Sequence, residues 1–344
     1  MDSIFKPRKS VVQKGMAGKS VLLYGGNSTG KTLNCVNAKK ALLVAFELGI
    51  NAINNVTYVQ PKKWADWKKI VNELTSESTI AEAKEMYDTV IIDSIEPMFR
   101  QAEDFICTSF DVPSVGRDSD GKMSRGGVWK EFRAAIEEQN RKLLGAGYTL
   151  IFIAHEGTRD MYDDRGNQYT KIYPRGDKAS VDYLCDNCDF IAYARNQAPD
   201  ENGNEVLSTL YFRPTMAFHA RTRFKYMVNS IPEWNIEKLN AAIAEAVKKE
   251  EDATGKKGQT FEEKKAEEIK EAKAEAAAKE PIQDIIDKIG EKVRNMIIKD
   301  GTKTAYEDIL EETVNNRAFK CQDATEKQRD HLELILKALT EKGY

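Results

Sequence analysis

The sequence predicts an α/β domain built on a mainly parallel, twisted β-sheet, and three observations carry that prediction. Short apolar runs recur along the first two-thirds of the chain, several of them nearly continuous, as strands covered on both faces require. Helical patterns separate these runs, and strands alternating with helices imply parallel pairing through crossovers. A strand–glycine-rich turn–helix unit, GGNSTGKT at 25–32, sits near the start. The strand candidates in order are SVLLYG (20–25), ALLVAF (41–46), VTYVQ (56–60), TVIID (89–93), YTLIFIA (148–154), DFIAYAR (189–195) and STLYFRP (208–214). Between them, LNCVNAKKAL, WADWKKIVNELT and GVWKEFRAAIEEQNRKLLG read as helices, the last ending on Gly145 as a helix should.

The 344 residues suffice for one large domain and a smaller one. Four segments are expected: an N-terminal lead over 1–18, a core over 19–236, a charged helical linker over 237–281 and a small helical domain over 282–344. The linker assignment rests on an Ala/Glu/Lys-rich composition with charges three or four apart. Apolar spacing returns at IIDKIGEKVRNMII and DHLELILKAL. No apolar run approaches the roughly 20 residues that span a bilayer, and MDSIFKPRKSVV lacks the apolar stretch of a signal peptide. A cytoplasmic protein without a membrane partner is expected. Five scattered cysteines argue for reduced thiols. A net charge of −3 provides no global pull toward nucleic acid, so any such contact must be local or repeated in an oligomer.

Two Gly-Lys-Ser/Thr triplets lie within fifteen residues of one another. Gly25-Gly26-Asn27-Ser28-Thr29-Gly30-Lys31-Thr32 fits G-x-x-x-x-G-K-[ST] completely, after a strand and before a helix. Gly18-Lys19-Ser20 has Gln13 in place of the first glycine and precedes the strand, which makes it a decoy. In the phosphate-loop reading, backbone N–H groups of Gly26–Gly30 wrap phosphate oxygens and Lys31 contacts the β- and γ-phosphates. The Thr32 hydroxyl ligates Mg²⁺, so ATP and Mg²⁺ are the expected cofactors. A second metal-holding acid is expected at a strand end, and Asp93 in TVIIDS satisfies that. Hydrolysis also needs a group that orients or deprotonates water. Many ATPases carry a Glu directly after the metal-binding Asp; here that position is Ser94, leaving Glu47, Glu96 and Glu156 as candidates.

With these motifs the chain resembles the RecA-like recombinase ATPases, and especially phage-encoded RecA-core proteins linked to single-strand annealing. The resemblance covers roughly residues 15 to 230. It rests on GGNSTGKT, the strand ending in Phe46-Glu47, TVIIDS, the helix VWKEFRAAIEEQNRKLLGAG leading to TLIFIAHE, and the late pair DFIAYARN and STLYFRP followed by FHARTRF. It implies a RecA-like P-loop NTPase core and selects Glu47 as the base. It makes His155, where the family more often has glutamine, a γ-phosphate sensor. It also implies that Arg221 and Arg223, with Lys225 beside them, reach the nucleotide of a neighbouring subunit in a ring or filament.

The resemblance further matches two polar stretches, 109–127 and 157–180, to loops that line a DNA path. The second interleaves Arg159, Arg165, Lys171 and Arg175 with Tyr162, Tyr169 and Tyr173, cations for phosphates and rings for stacking on single strands. Asp160, Asp163, Asp164 and Asp177 dilute that pattern. Cys185-Asp186-Asn187-Cys188 has no second C-x-x-C, so paired buried thiols are expected rather than zinc. The leading expectation is a Mg²⁺-dependent ATPase, stimulated by single-stranded DNA, acting as an oligomer in phage recombination or annealing in the host cytoplasm. An annealing or single-strand-binding protein is a candidate partner. Two alternatives stay open: a helicase-like or remodelling motor, and a nucleotide-gated binding protein with little turnover.

Overall fold

The computed structural model describes residues 10–47, 49, 53–123, 127–197, 207–278, 280–300 and 303–344. Positions 1–9 of the N-terminal lead, 124–126 of the first polar stretch and 279 of the linker lie outside the described residues. The chain divides into two compact units, 1–265 and 266–344.

In the first unit, all seven sequence-expected strands are present: β1 (Ser20–Gly25), β2 (Ala41–Ala45), β3 (Tyr58–Val59), β4 (Thr89–Asp93), β5 (Thr149–Tyr162), β7 (Phe190–Arg195) and β8 (Thr209–Tyr211). Three more join them: β6 (Gln168–Pro174), β9 (Arg221–Thr222) and β10 (Ser230–Ile231). The order across the sheet is β10-β8-β7-β1-β5-β4-β2-β3, with β6 paired to β5 and β9 to β7. The central pairs are parallel, and β8, β9 and β10 attach antiparallel at one side. The expected α/β class with a mostly parallel sheet is therefore the observed one.

Strand alternation sorts side chains to two faces. Leu22, Tyr24, Val44, Ile92 and Phe152 pack with helices α2 (Trp64–Thr75), α4 (Ile95–Phe110), α5 (Trp129–Gly145) and α6 (Lys178–Asn187). Val21, Leu23, Leu43, Ile91, Ile151 and Ile153 pack on the other face with Cys35, Trp234 and helix α7 (Ile236–Thr254). A short helix α3 (Ile80–Met86) precedes β4.

Helix α7 corrects the linker expectation. Its Ile236, Leu239, Ala242, Ile243, Ala246 and Val247 are buried, and all but Val247 belong to the cluster on the sheet's second face. Each of the isoleucine, leucine and valine side chains so covered contributes about 1.5–3 kcal/mol when fully buried. Ile236, Leu239, Ile243 and Val247, three or four residues apart, form with Ala242 and Ala246 an apolar stripe that the charged composition concealed. Helix α1 is likewise shorter than expected, Lys31–Cys35 instead of a run to residue 42; Lys40 adopts a left-handed φ of 47° just before β2.

The stretch 157–180, expected to be a loop, is largely a β-hairpin. Beyond His155, which pairs with Gly25 of β1, strand β5 continues and pairs antiparallel with β6 from Glu156↔Pro174 to Tyr162↔Gln168. In the stretch 109–127, Arg117 and Met123 form an isolated bridge around a turn closed by Asp118 and Lys122. Helix α8 (Phe261–Ala278) carries the chain across the boundary between units. The second unit contains α9 (Ile282–Asp300), α10 (Thr304–Val314) and α11 (Arg329–Glu341) around a core of its own, including Ile285, Ile289, Met296, Leu310, Leu332 and Ile335. Among the described residues no helix is long and apolar enough to cross a membrane.

Candidate nucleotide-binding site

The C-terminal ends of β1, β2 and β4 and the point where β5 leaves the parallel sheet converge on a cavity of about 390 Å³, lined by Asn27–Leu33, Glu47, Asp93, Ile153 and His155 among others. Parallel strands pointing the same way bring these residues together although the chain separates them by up to 128 positions. Gly25 ends β1 beside Ala194 of β7, where a Cβ would lie 2.1 Å from the Ala194 carbonyl oxygen, so no side chain fits. Ser28 and Gly30 have φ of 61° and 72°. Left-handed residues alternating with right-handed ones turn successive N–H groups into one concavity, the geometry of an anion nest. Helix α1 has only five residues, so the loop amides and Lys31 carry the cradle more than an aligned helix dipole does.

Lys31 is buried, and its Nζ donates to the carbonyl oxygens of Gly25 at 3.0 Å and Gly26 at 2.7 Å. Burial lowers its pKa, against the raising influence of Asp93, Glu156 and Glu96. Thr32 Oγ1 donates to Asp93 Oδ2 at 2.6 Å. Burial raises the Asp93 pKa, opposed by the Thr32 hydrogen bond and reinforced by Glu47. Both charges are held at a desolvation cost that a bound triphosphate and cation would offset. A hydroxyl and a carboxylate oxygen in contact form a hard-oxygen pair suited to Mg²⁺, so the residues present fit that ion.

Ser94, the residue that displaces the usual Glu, has a role of its own: its hydroxyl donates to Glu47 Oε1. Strand β2 lies beside β4 with Ala45 opposite Asp93, which carries Glu47 to the place a neighbouring acid would otherwise occupy. The three acids differ in commitment. Glu96 Oε1 accepts from the His155 backbone N–H at 3.1 Å and lies 3.1 Å from His155 Nδ1. Glu156 Oε2 accepts from the Tyr193 hydroxyl at 3.1 Å, while Oε1 rests against Gly26. Glu47 lines the cavity, and its side chain is 40% exposed against 15% for Glu96. Of the three, Glu47 is the one open to a water in the cavity. His155 lines the same cavity, 3.9 Å from Glu47 Oε1 through Nδ1.

The sequence-expected arginines are elsewhere. Arg221 lies opposite Ile191 near the N-terminal end of β7, away from the phosphate loop. Its Nη2 donates to the carbonyls of Cys185, Asp186 and Cys188, capping the C-terminal end of α6. Within its own chain the guanidinium neutralises a helix end. Arg223 donates to the Asp186 carbonyl at 2.6 Å, sits 3.7 Å from Asp189 and leaves half its side chain exposed. Lys225 is exposed nearby.

The hairpin sorts the expected nucleic-acid residues by register. Arg159, Tyr169, Lys171 and Tyr173 share one face, and Tyr162 lies on the other. Arg159 is engaged inward, 2.5 Å from Asp182 and 4.5 Å over the Tyr173 ring, which itself stacks on His219 at 4.5 Å. These two residues fasten the hairpin's base. Tyr162, Arg165 and Arg175 are exposed and Lys171 partly so. Cys185 and Cys188 are buried, with pKa values pushed up to about 12 by desolvation; they form no metal cluster among the described residues.

Sequence reasoning passed over Ser208, which touches the loop from outside the cavity, and Trp234, which holds Ser208. Ser208 Oγ donates to the Thr29 carbonyl at 2.7 Å and accepts from Trp234 Nε1 at 2.8 Å. No local signal marks either residue.

With this geometry in place, comparison with known proteins is informative. A family model described as an AAA domain matches residues 17–224, the segment that carries the cavity. The chain is also similar to the SPbeta prophage-derived uncharacterized protein YorG of Bacillus subtilis (strain 168), 38% identical over 262 residues that make up 76% of this chain and 77% of that protein.

Proposed function

Since the chain belongs to the AAA-domain family of P-loop proteins, we propose that it is a Mg²⁺-dependent ATPase, stimulated by single-stranded DNA and acting as an oligomer in phage DNA recombination or annealing. The observation that carries the hydrolytic reading is the convergence of Lys31, the Thr32–Asp93 pair and a cavity-facing Glu47 at adjacent strand ends.

Lys31 exchanges its carbonyl partners Gly25 and Gly26 for β- and γ-phosphate oxygens, while the loop amides hold the remaining oxygens. Thr32 and Asp93 would hold Mg²⁺, which supplies charge neutralisation on the phosphates when bound. Glu47, steadied by Ser94, accepts a hydrogen bond from water and orients it toward the γ-phosphorus. As the water oxygen bonds to the γ-phosphorus and the terminal phosphoanhydride bond breaks, ADP leaves; Glu47 accepts the water's proton and passes it to the released phosphate. His155 reads the outcome. It stands at the junction where β5 leaves the sheet and becomes the hairpin, tied to Glu96 by its backbone and ring.

The single-stranded DNA reading draws support from the hairpin, whose exposed Tyr162, Arg165 and Arg175 offer a ring and two cations beyond a fastened base. The prophage origin of the similar protein supports a phage setting. Arg223, far from its own subunit's loop and half exposed, remains the candidate for a neighbour's nucleotide in a head-to-tail assembly. The test is ATP turnover by the purified chain with and without single-stranded DNA across salt concentrations. DNA-dependent acceleration that weakens with salt is expected. Turnover that ignores DNA removes the recombination reading and leaves a bare ATPase, and an unwinding signal would favour the motor.

A further inference from the structure

The phosphate loop is braced from outside the cavity by two residues about 180 and 200 positions downstream. Ser208, buried, donates to the Thr29 carbonyl at 2.7 Å. Buried Trp234 grips Ser208 twice, donating Nε1 to its hydroxyl at 2.8 Å and its backbone N–H to its carbonyl at 3.1 Å. The Trp234 carbonyl in turn accepts from Asn34 Nδ2 of α1 at 3.2 Å.

The consequence follows from peptide geometry. In a planar trans peptide the carbonyl of one residue and the N–H of the next point in opposite directions. Anchoring the Thr29 oxygen on Ser208 therefore aims the Gly30 N–H away from Ser208. Ser208 stands outside the cavity lining and Gly30 within it, so that amide is turned toward the anion nest. Gly30 sits at φ 72° and Ser28 at φ 61°, a backbone arrangement that surrounding contacts must hold. We propose that Ser208, oriented by Trp234, is a positioning residue that holds the phosphate loop in its triphosphate-binding shape. The proposal rests on the nucleotide reading above and names a determinant of affinity that lies outside the G-x-x-x-x-G-K-[ST] motif.

The test titrates the full chain, in Mg²⁺, with a fluorescent ATP analogue, alongside thermal melts. Ser208→Ala strips partners from two buried groups and is expected to weaken binding about tenfold. Ser208→Thr keeps the hydroxyl and is expected to stay within about threefold of the unaltered chain. Trp234→Phe retains the Ser208–Thr29 bond but frees the serine, and an intermediate loss is expected. Ser208→Ala binding as tightly as the unaltered chain overturns the proposal. So does an equal loss for Ala and Thr accompanied by an equal fall in melting temperature, since that marks a packing defect. An unaltered chain that takes up no analogue overturns the nucleotide reading itself, and this proposal with it.

Discussion

Two buried lysines, Lys19 and Lys31, sit at the centre of near-identical Gly-Lys-Ser/Thr triplets beyond opposite ends of the same strand. Both turn their amines onto backbone carbonyls: Lys31 onto Gly25 and Gly26, Lys19 onto Gln13 at 2.9 Å and onto Gly15. Both have lowered pKa values because burial disfavours the charged form, that of Lys19 reaching about 8. What separates them is direction along the sheet. Lys31 faces the C-terminal end of the parallel strand pairs, where Asp93, Glu47 and His155 converge on a cavity. Lys19 faces the strand starts, where it closes a turn and interacts with the charge of Asp189. A local pattern supplies an amine and a glycine; the end of the sheet on which they fall decides whether they bind or merely brace.

The sharpest way to break this comparison is to exchange each lysine for alanine. Lys31→Ala is expected to lose triphosphate binding by at least about a hundredfold in a fluorescent-analogue titration, because its charge-assisted contacts to phosphate disappear. Lys19→Ala is expected to bind nucleotide normally and to lose about 1–3 kcal/mol of unfolding free energy as its carbonyl partners go unpaired. Equal effects on binding would erase the distinction between the two ends.

Within the cavity end, Glu47→Gln is expected to keep nucleotide and lower single-turnover hydrolysis by about 10²–10⁴-fold, the range for removal of a general base. Glu96→Gln and Glu156→Gln should lower it less, since each acid is committed to a protein partner. A larger loss for either would relocate the base.

At the opposite end, Arg221→Ala should cost about 1–2 kcal/mol in a denaturant titration, the scale of a charge at a partly buried helix C-terminus, with nucleotide uptake unchanged. Arg223→Ala subunits mixed with Glu47→Gln subunits should regain part of the lost turnover if the arginine serves a neighbour's site. Failure to recover in an intact assembly would assign Arg223 to α6 as well.

An effect of similar size concerns pH. Burial, then Lys171, Arg221 and Arg159, lower the His219 pKa to about 4. The unfolded chain binds the proton at its ordinary pKa near 6.5, so stability from a neutral His219 is complete above that value and is lost as pH falls toward about 4. After discount for partial exposure, the loss is about 1–2 kcal/mol. Melts of His219→Phe, which keeps a ring against Tyr173, should show a shallower acid slope than the unaltered chain.

Much of the fold was legible because its signals are local. Seven apolar runs became seven strands, and the helix WADWKKIVNELT occupies Trp64–Thr75 as its pattern indicates. The failures share a cause. Helix α7 hid its apolar stripe among charges, and only the second face of the sheet gives that stripe a partner. Strand β6 alternates polar residues that gain their pairing from β5, a partner no window on the sequence contains. Ser94 was visible as the absence of a glutamate; its hydrogen bond to Glu47 depends on β2 lying beside β4.

By itself the sequence determined which groups were available: a glycine-rich turn after an apolar strand, one lysine and one threonine at its end, and an acid closing a later strand. Those assignments hold because backbone permissiveness, hydrophobic periodicity and side-chain chemistry act over a few residues. Only the tertiary structure decided which acid faces the cavity, which arginine caps a helix and which distant serine aims a loop amide. Each of those depends on distances across strands and layers, and such distances exist only once the sheet has brought remote segments side by side.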